Sequence, residues 1–329
     1  LERAWFEYSH SDLINFRVGR FITPAGIWNV DHGSPIITTV AQPNQTSFFP
    51  IFPERQQGVM LNGTMFVGDH DLAYSGYVST GRFQDGVGDA IETRQDLELD
   101  QYAVGGNLKF RMDILDGVSF GASGMKGTVN KNEPKVSFRS MSAADAIAIA
   151  SGTQDFDLSD AMTTYNAITN LDELVGGVDM KLESDGFTFQ GEYNYRFVTN
   201  NRKTVFNGAT VASPGDYTEY TAFYGLISYR IPLTPMLAVT PYSLFEQIKW
   251  SNVENTNLTI GLFPMEGWNT YMLGLNWSLG SNFIIKTEFQ YGELLTRNPK
   301  DSNPALIDWT MEQGDLDVAT FSTQFSMAF

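Results

Sequence analysis

The sequence contains no cysteine. That excludes disulfide frameworks, thiolate nucleophiles and cysteine-based zinc sites; it suits a chain that crosses an oxidising compartment and equally one that stays in a reducing one. No apolar run reaches the roughly 18 residues that a membrane-crossing helix needs. Positive charge is scarce, with 21 Lys and Arg against 38 Asp and Glu, a net −17. A phosphate backbone would be repelled, so nucleic-acid binding is excluded. There are three histidines and no Ser/His/Asp set, phosphate loop or regular metal-ligand spacing. On those grounds the sequence predicts no catalysed chemistry and no cofactor. No leader stands at Leu1, which decides nothing, because an exported chain loses its leader.

What is present is alternation. Aromatics make up 13% of the 329 residues and charged residues 18%. In "FTFQGEYNYRF", Phe187, Phe189, Tyr193, Tyr195 and Phe197 share one face, and Gln190, Glu192, Asn194 and Arg196 share the other. The same two-faced pattern recurs at 102–111, 174–183, 270–279 and 283–291. A side chain on every second position is the signature of a strand between two media. Strands of a soluble sandwich run to about 5–6 residues; these run to roughly 10–14, the length that crosses a bilayer at a tilt.

The connections alternate in length. "SHSD", "GDHD", "DILDG", "ESDG", "IPLTP" and "LGSN" are short and carry turn residues. Long polar segments lie between them, near 22–57, 82–97, 130–170, 199–216, 251–267 and 296–313. Short turns on one side and long loops on the other define an outer-membrane barrel. The sequence therefore predicts an all-β, transmembrane, antiparallel up-and-down β-barrel. It is one domain over residues 1–329, with about 13 strands visible and 14–16 when complete. Within 130–170, "MSAADAIAIASG" (141–152) reads as a short helix, capped by Ser142 and stopped by Gly152.

The closing "TFSTQFSMAF" puts Phe321, Phe325, Met327 and Phe329 on one apolar face. Phe325, Met327 and Phe329 resemble the C-terminal signal read by the outer-membrane assembly machinery. With the last strand ending in the periplasm, the count makes the first strand run downward from outside. The expectation is that Leu1 is not the biological start and that strands precede it, or that a separate N-terminal fragment supplies them.

The stretch "RAWFEYSHSDLINFRVGRFITPAGIWN" is similar to a segment of the phosphate-selective porin family, through Arg17, Val18, Gly19, Arg20, Phe21, Pro24 and Gly26. "FPERQQGVMLNG" resembles the loop-to-strand return of that family through Glu54, Arg55 and Gly58. The resemblance covers residues 3–63. It implies a 16-stranded homotrimeric porin whose loop at 22–57 folds inward as a constriction. In that family, lysine and arginine clusters at the constriction select anions; here 22–57 offers Arg55, next to Glu54, with Asp31 and His32.

Face assignment puts Arg17, Lys109, Arg111, Lys181, Glu192, Arg196, Arg230, Lys286 and Glu288 on the lumen side, either guiding ions or pairing across the wall. The acidic loop residues Asp85, Asp89, Glu92, Asp96, Asp155, Asp157 and Asp160 form either a solvated surface or sites where calcium bridges lipopolysaccharide. His70, between Asp69 and Asp71, lies in a turn whose neighbours point to opposite faces. The predicted function is passive diffusion of small hydrophilic or charged solutes through the outer membrane of a Gram-negative bacterium. The alternative is a structural barrel that holds a partner protein.

Overall fold

The computed structural model describes residues 3–30, 37–47, 49–81, 102–114, 117–138, 162–201, 204–206, 209–212, 215, 217–251, 259–260, 263–280, 283–296 and 316–327. They form β-strands and connections and no helix. The strands are β1 (Ala4–Ser9), β2 (Asn15–Ile22), β3 (Arg55–Val67), β4 (His70–Ser79), β5 (Ala103–Met112), β6 (Gly117–Phe138), β7 (Met162–Ser184), β8 (Phe187–Asn200), β9 (Thr204–Phe206), β10 (Ala209–Ala212), β11 (Tyr217–Tyr229), β12 (Ile231–Thr234), β13 (Leu237–Ser251), β14 (Thr259–Ile260), β15 (Phe263–Leu279), β16 (Phe283–Thr296) and β17 (Leu316–Met327).

Each long strand pairs antiparallel with the next. Among the described residues, the path runs β1 to β8 in order, then β11, β13, β15, β16 and β17, thirteen strands of a 15-stranded sheet in which β12 pairs with β13 and β14 with β15 off the path. This is the up-and-down order predicted from the alternating connections, and the count matches the 13 strands read from the sequence. The sheet is not closed: among the described residues, β1 pairs with β2 alone and β17 with β16 alone. The short turns and the long connections fall at opposite strand ends. Within the segment read as a long loop at 130–170, β6 continues to Phe138 and pairs with β7 from Met162. That part of the loop is a strand hairpin rather than irregular chain. The expected helix at 141–152 lies outside the described residues.

The outward face is apolar and open. Val78, Val104, Leu108, Leu174, Val178, Tyr193, Ile227, Leu273, Phe289 and Phe321 all stand exposed, Leu273 at 60%. A soluble fold would bury such a continuous apolar face. On β15 the outward run is Leu279, Trp277, Leu275, Leu273 and Tyr271. Eight residue steps cover about 26 Å along the strand, comparable to the ~25 Å apolar band of outer-membrane barrels. The band ends in an aromatic row across four strands. Phe223, Phe245, Tyr271 and Tyr291 follow one another with centroids 5.5, 5.0 and 6.1 Å apart. One step further along the strands, Gln247 Nε2 donates to Asn269 Oδ1 at 2.9 Å, and Asn269 Nδ2 donates to Glu293 Oε2 at 3.0 Å. Aromatics followed by hydrogen-bonding groups are what a hydrocarbon–water boundary selects.

This face carries a direct expectation. Leu275→Arg places a charge at the middle of the band and should cost about 2–4 kcal/mol of barrel stability. Equilibrium refolding into lipid vesicles measures it. A surface position bathed in water would show a change within about 0.5 kcal/mol.

Candidate functional site

Between β2 and β3 the described residues 23–30, 37–47 and 49–54 form a segment that lies off the sheet. Pro24, Pro43, Pro50 and Pro53 keep this segment from pairing as a strand. Its neck is tied twice: Thr23 N donates to Glu54 O at 3.0 Å, and Asn29 Nδ2 donates to Thr23 O at 2.7 Å. A tight turn follows at 43–47, where Thr46 N and Ser47 N both donate to Pro43 O.

The segment packs on the inner face of the sheet, which polar residues were expected to line. Trp28 and Ile37 bury themselves against Tyr224, Leu226, Leu244 and Met272 from β11, β13 and β15. Ala25, Ile51 and Phe52 pack with Phe21, Met60, Tyr77, Met125 and Val175, and also with Ile248, Trp250 and Leu294. The segment thus reaches inner residues from β2 through β16, which places it inside the rolled sheet.

Three wall carboxylates meet it, and each accepts two consecutive peptide N–H groups. Glu192 Oε1 accepts from Ile27 N at 2.5 Å and Trp28 N at 3.0 Å. Glu246 accepts from Asn44 N and Gln45 N, both at 2.8 Å. Glu288 accepts from Val40 N at 3.0 Å and Ala41 N at 3.1 Å. Successive N–H groups that converge in this way form an anion-binding concavity, and a hydrogen bond to a charged group contributes about 1.5–3 kcal/mol. Tyrosines complete two of the sites: Tyr224 donates to Glu192 at 3.0 Å and Tyr242 to Glu288 at 2.9 Å. Asn44 Nδ2 adds bonds to Glu246 and to Thr270 Oγ1.

A lysine completes the seat from the same wall. Lys286, fully buried, donates from Nζ to Ile37 O at 2.6 Å and Thr39 O at 3.2 Å. Gly26 has φ +66°, a left-handed turn that sets the next two N–H groups towards Glu192. A Cβ there would also collide with the Glu192 carboxylate.

The remaining inner wall, on β1 to β7, carries ion pairs. Arg17 bonds Glu7 at 2.6 Å, Lys181 meets Glu183 at 3.0 Å, Arg111 meets Asp71 at 3.4 Å and Lys109 meets Asp179 at 3.6 Å. The Arg111 side chain is 55% exposed and that of Lys181 35%, whereas Asp179 is buried. Nearer the long connections, Arg196 binds the buried Glu173 at 2.9 Å and lies over the Tyr220 ring.

Of the residues assigned to the lumen from sequence, Arg17, Lys109, Arg111, Lys181, Glu192, Arg196, Lys286 and Glu288 lie on the inner face. Glu192, Lys286 and Glu288 hold the segment instead of facing an open bore. Arg230 sits between β11 and β12, exposed at the short-turn rim. Glu54 and Arg55 pair with each other at 2.8 Å. Asp31, His32 and Phe329 lie outside the described residues, as do the acidic stretches at 82–100 and 139–161. Phe325 stands exposed on the outward face, and Met327 ends β17. His70 opens β4, accepts from Asp113 N at Nδ1 and packs edge-on to Phe110, while Asp71 turns to Arg111. Among the described residues, no three His, Asp or Glu side chains group as metal ligands.

Glu246 and Thr270 were missed by sequence reading. The signal was there in "YSLFEQIKW", where Glu246 shares a face with Tyr242, Leu244, Ile248 and Trp250. A lone carboxylate on an apolar face marks a buried acceptor with a partner elsewhere.

No protein-family profile matches the chain, and no curated protein matches it. The phosphate-selective porin family is therefore not supported. Solved structures do match. Outer-membrane expressed OmpT of Vibrio cholerae aligns at a TM-score of 0.51 and 10% identity, over 96% of this chain and 76% of that one. In-vitro folded OmpT of the same organism aligns at 0.50 and 9%, with the same coverage. LpxR from Salmonella typhimurium aligns at 0.27 and 8%, over 83% and 88%. The fold is that of a bacterial outer-membrane β-barrel, and the predicted location agrees with it. One expectation is corrected by these likenesses. The exclusion of catalysis rested on missing motifs, but the likeness to OmpT is one of fold, and a single fold hosts unrelated activities, catalysis among them. An enzymatic role is thus open for this chain.

Proposed function

We propose that this chain forms an outer-membrane diffusion channel for small hydrophilic solutes, narrowed by residues 23–54. The supporting observation is the inner wall of β1 to β7. Its strands turn Val78, Val104 and Leu108 outward and Arg17, Lys109, Arg111 and Lys181 inward, with the inward charges still partly exposed. One face belongs to hydrocarbon and the other to water, and a wet wall beside an inserted segment makes a constricted passage. The cations there are each matched by a carboxylate, so no phosphate preference is assigned.

The apolar packing of Ala25, Ile51 and Phe52 against both sides of the bore favours a second reading, a barrel that acts as a scaffold with a filled interior. Planar-bilayer recording separates the two. A channel gives stepwise conductance in potassium chloride. Protein that is folded by heat-shifted gel mobility yet gives no steps would overturn the channel reading.

A further inference from the structure

The three carboxylates and the lysine lie on one side of the bore, on β8, β13 and β16. Each carboxylate takes a consecutive pair of peptide N–H groups, at 27–28, 44–45 and 40–41. Lys286, on the same strand as Glu288, takes the carbonyls of Ile37 and Thr39, just ahead of the third pair in sequence. Asn276 Nδ2, on β15, adds a bond to Thr38 O at 3.3 Å. These bonds read the backbone rather than side chains, so they fix the path of the segment whatever residues it carries. Beneath it, Leu226, Leu244 and Met272 are almost wholly buried. The β2–β7 side, nearer the short turns, keeps partly exposed charged side chains.

We propose that Glu192, Glu246, Glu288 and Lys286 are positioning residues that fasten the segment, at 27–28, 37–41 and 44–45, to one wall, so that permeating solutes meet Arg17, Lys109, Arg111 and Lys181 on the other wall and never the wall beneath the segment. The route rests on the channel reading; the fastening does not.

The natural absence of cysteine makes single thiols clean reporters. Leu244→Cys lies beneath the segment, and Lys181→Cys lies on the open wall. With a membrane-impermeant thiol reagent, Lys181→Cys should be modified quickly and the current through it should fall. Leu244→Cys should react slower by about tenfold or more, as a site opened only by local release of its cover. In E192Q/E246Q/E288Q, the Leu244→Cys rate should approach that of Lys181→Cys. Because the triple variant can fail to fold, Gly26→Val provides a second route, unseating the first N–H pair from the segment's side. Equal labelling of the two thiols in the parent would overturn the proposal. So would a Leu244→Cys that stays protected in both unseated variants. A parent without current but with the labelling contrast would overturn the channel reading and the solute route, and leave the fastening standing.

Discussion

Replacing residues 27–50 with a short glycine–serine link is expected to raise single-channel conductance several-fold. The deletion removes Trp28, Ile37, Phe49 and the turn at 43–47 from the bore; of the two neck bonds it keeps the one from Thr23 N to Glu54 O and loses the one from Asn29. Conductance follows the narrowest cross-section, and on the channel reading that section lies where the segment sits. The shortened barrel should also lose stability. Glu192, Glu246 and Glu288 would each lose two N–H partners, and water in the widened bore would replace those bonds only in part. A conductance equal to that of the parent would mean that the segment is not the limiting element.

The second large effect is a change of selectivity. R111E/K181E reverses two of the exposed wall cations. In a salt gradient its reversal potential should move towards the cation limit, with the cation-to-anion permeability ratio rising several-fold. The choice of residues follows from the pairs. Lys109 faces the buried Asp179, and an acidic residue at 109 would leave two carboxylates uncompensated in a site with little water, which is strongly destabilising. The pairs of Arg111 and Lys181 are exposed, and exposed pairs contribute little to stability. The charge therefore changes with the fold kept. An unmoved reversal potential would remove these residues from the permeation path.

The strands facing lipid on one side and water on the other were legible from alternation alone. β8 is the clearest case, with Glu192 and Asn194 inward and Tyr193 outward. Turn chemistry gave the antiparallel order, because connections of two to five residues permit little else. The rule failed where the inner face is covered. In β11, Tyr224 and Leu226 are buried inward while Phe223 and Ile227 are exposed outward, so "YTAFYGLIS" is apolar on both faces and loses its period. β13 shows the same doubling at Leu244, Ile248 and Trp250. A strand buried on both faces reads as a continuous apolar run. That run was the trace left by the inserted segment. The partners of Glu192 and Glu288 were not legible, because they are main-chain N–H groups, and main-chain groups carry no residue signature.

The anchoring bonds join residues 165, 202 and 248 positions apart. The berth for the segment does not exist until strands from the first and last thirds of the chain have come together. Contacts of such long sequence separation form late and slowly. Residues 27–28, 40–41 and 44–45 are synthesised well before their anchors at 192, 288 and 246 and must wait for them, apolar neighbours and unpaired amides included. Maturation of this protein should thus end with a docking event inside an already assembled wall, and a chaperone that shields the segment until then would speed its biogenesis.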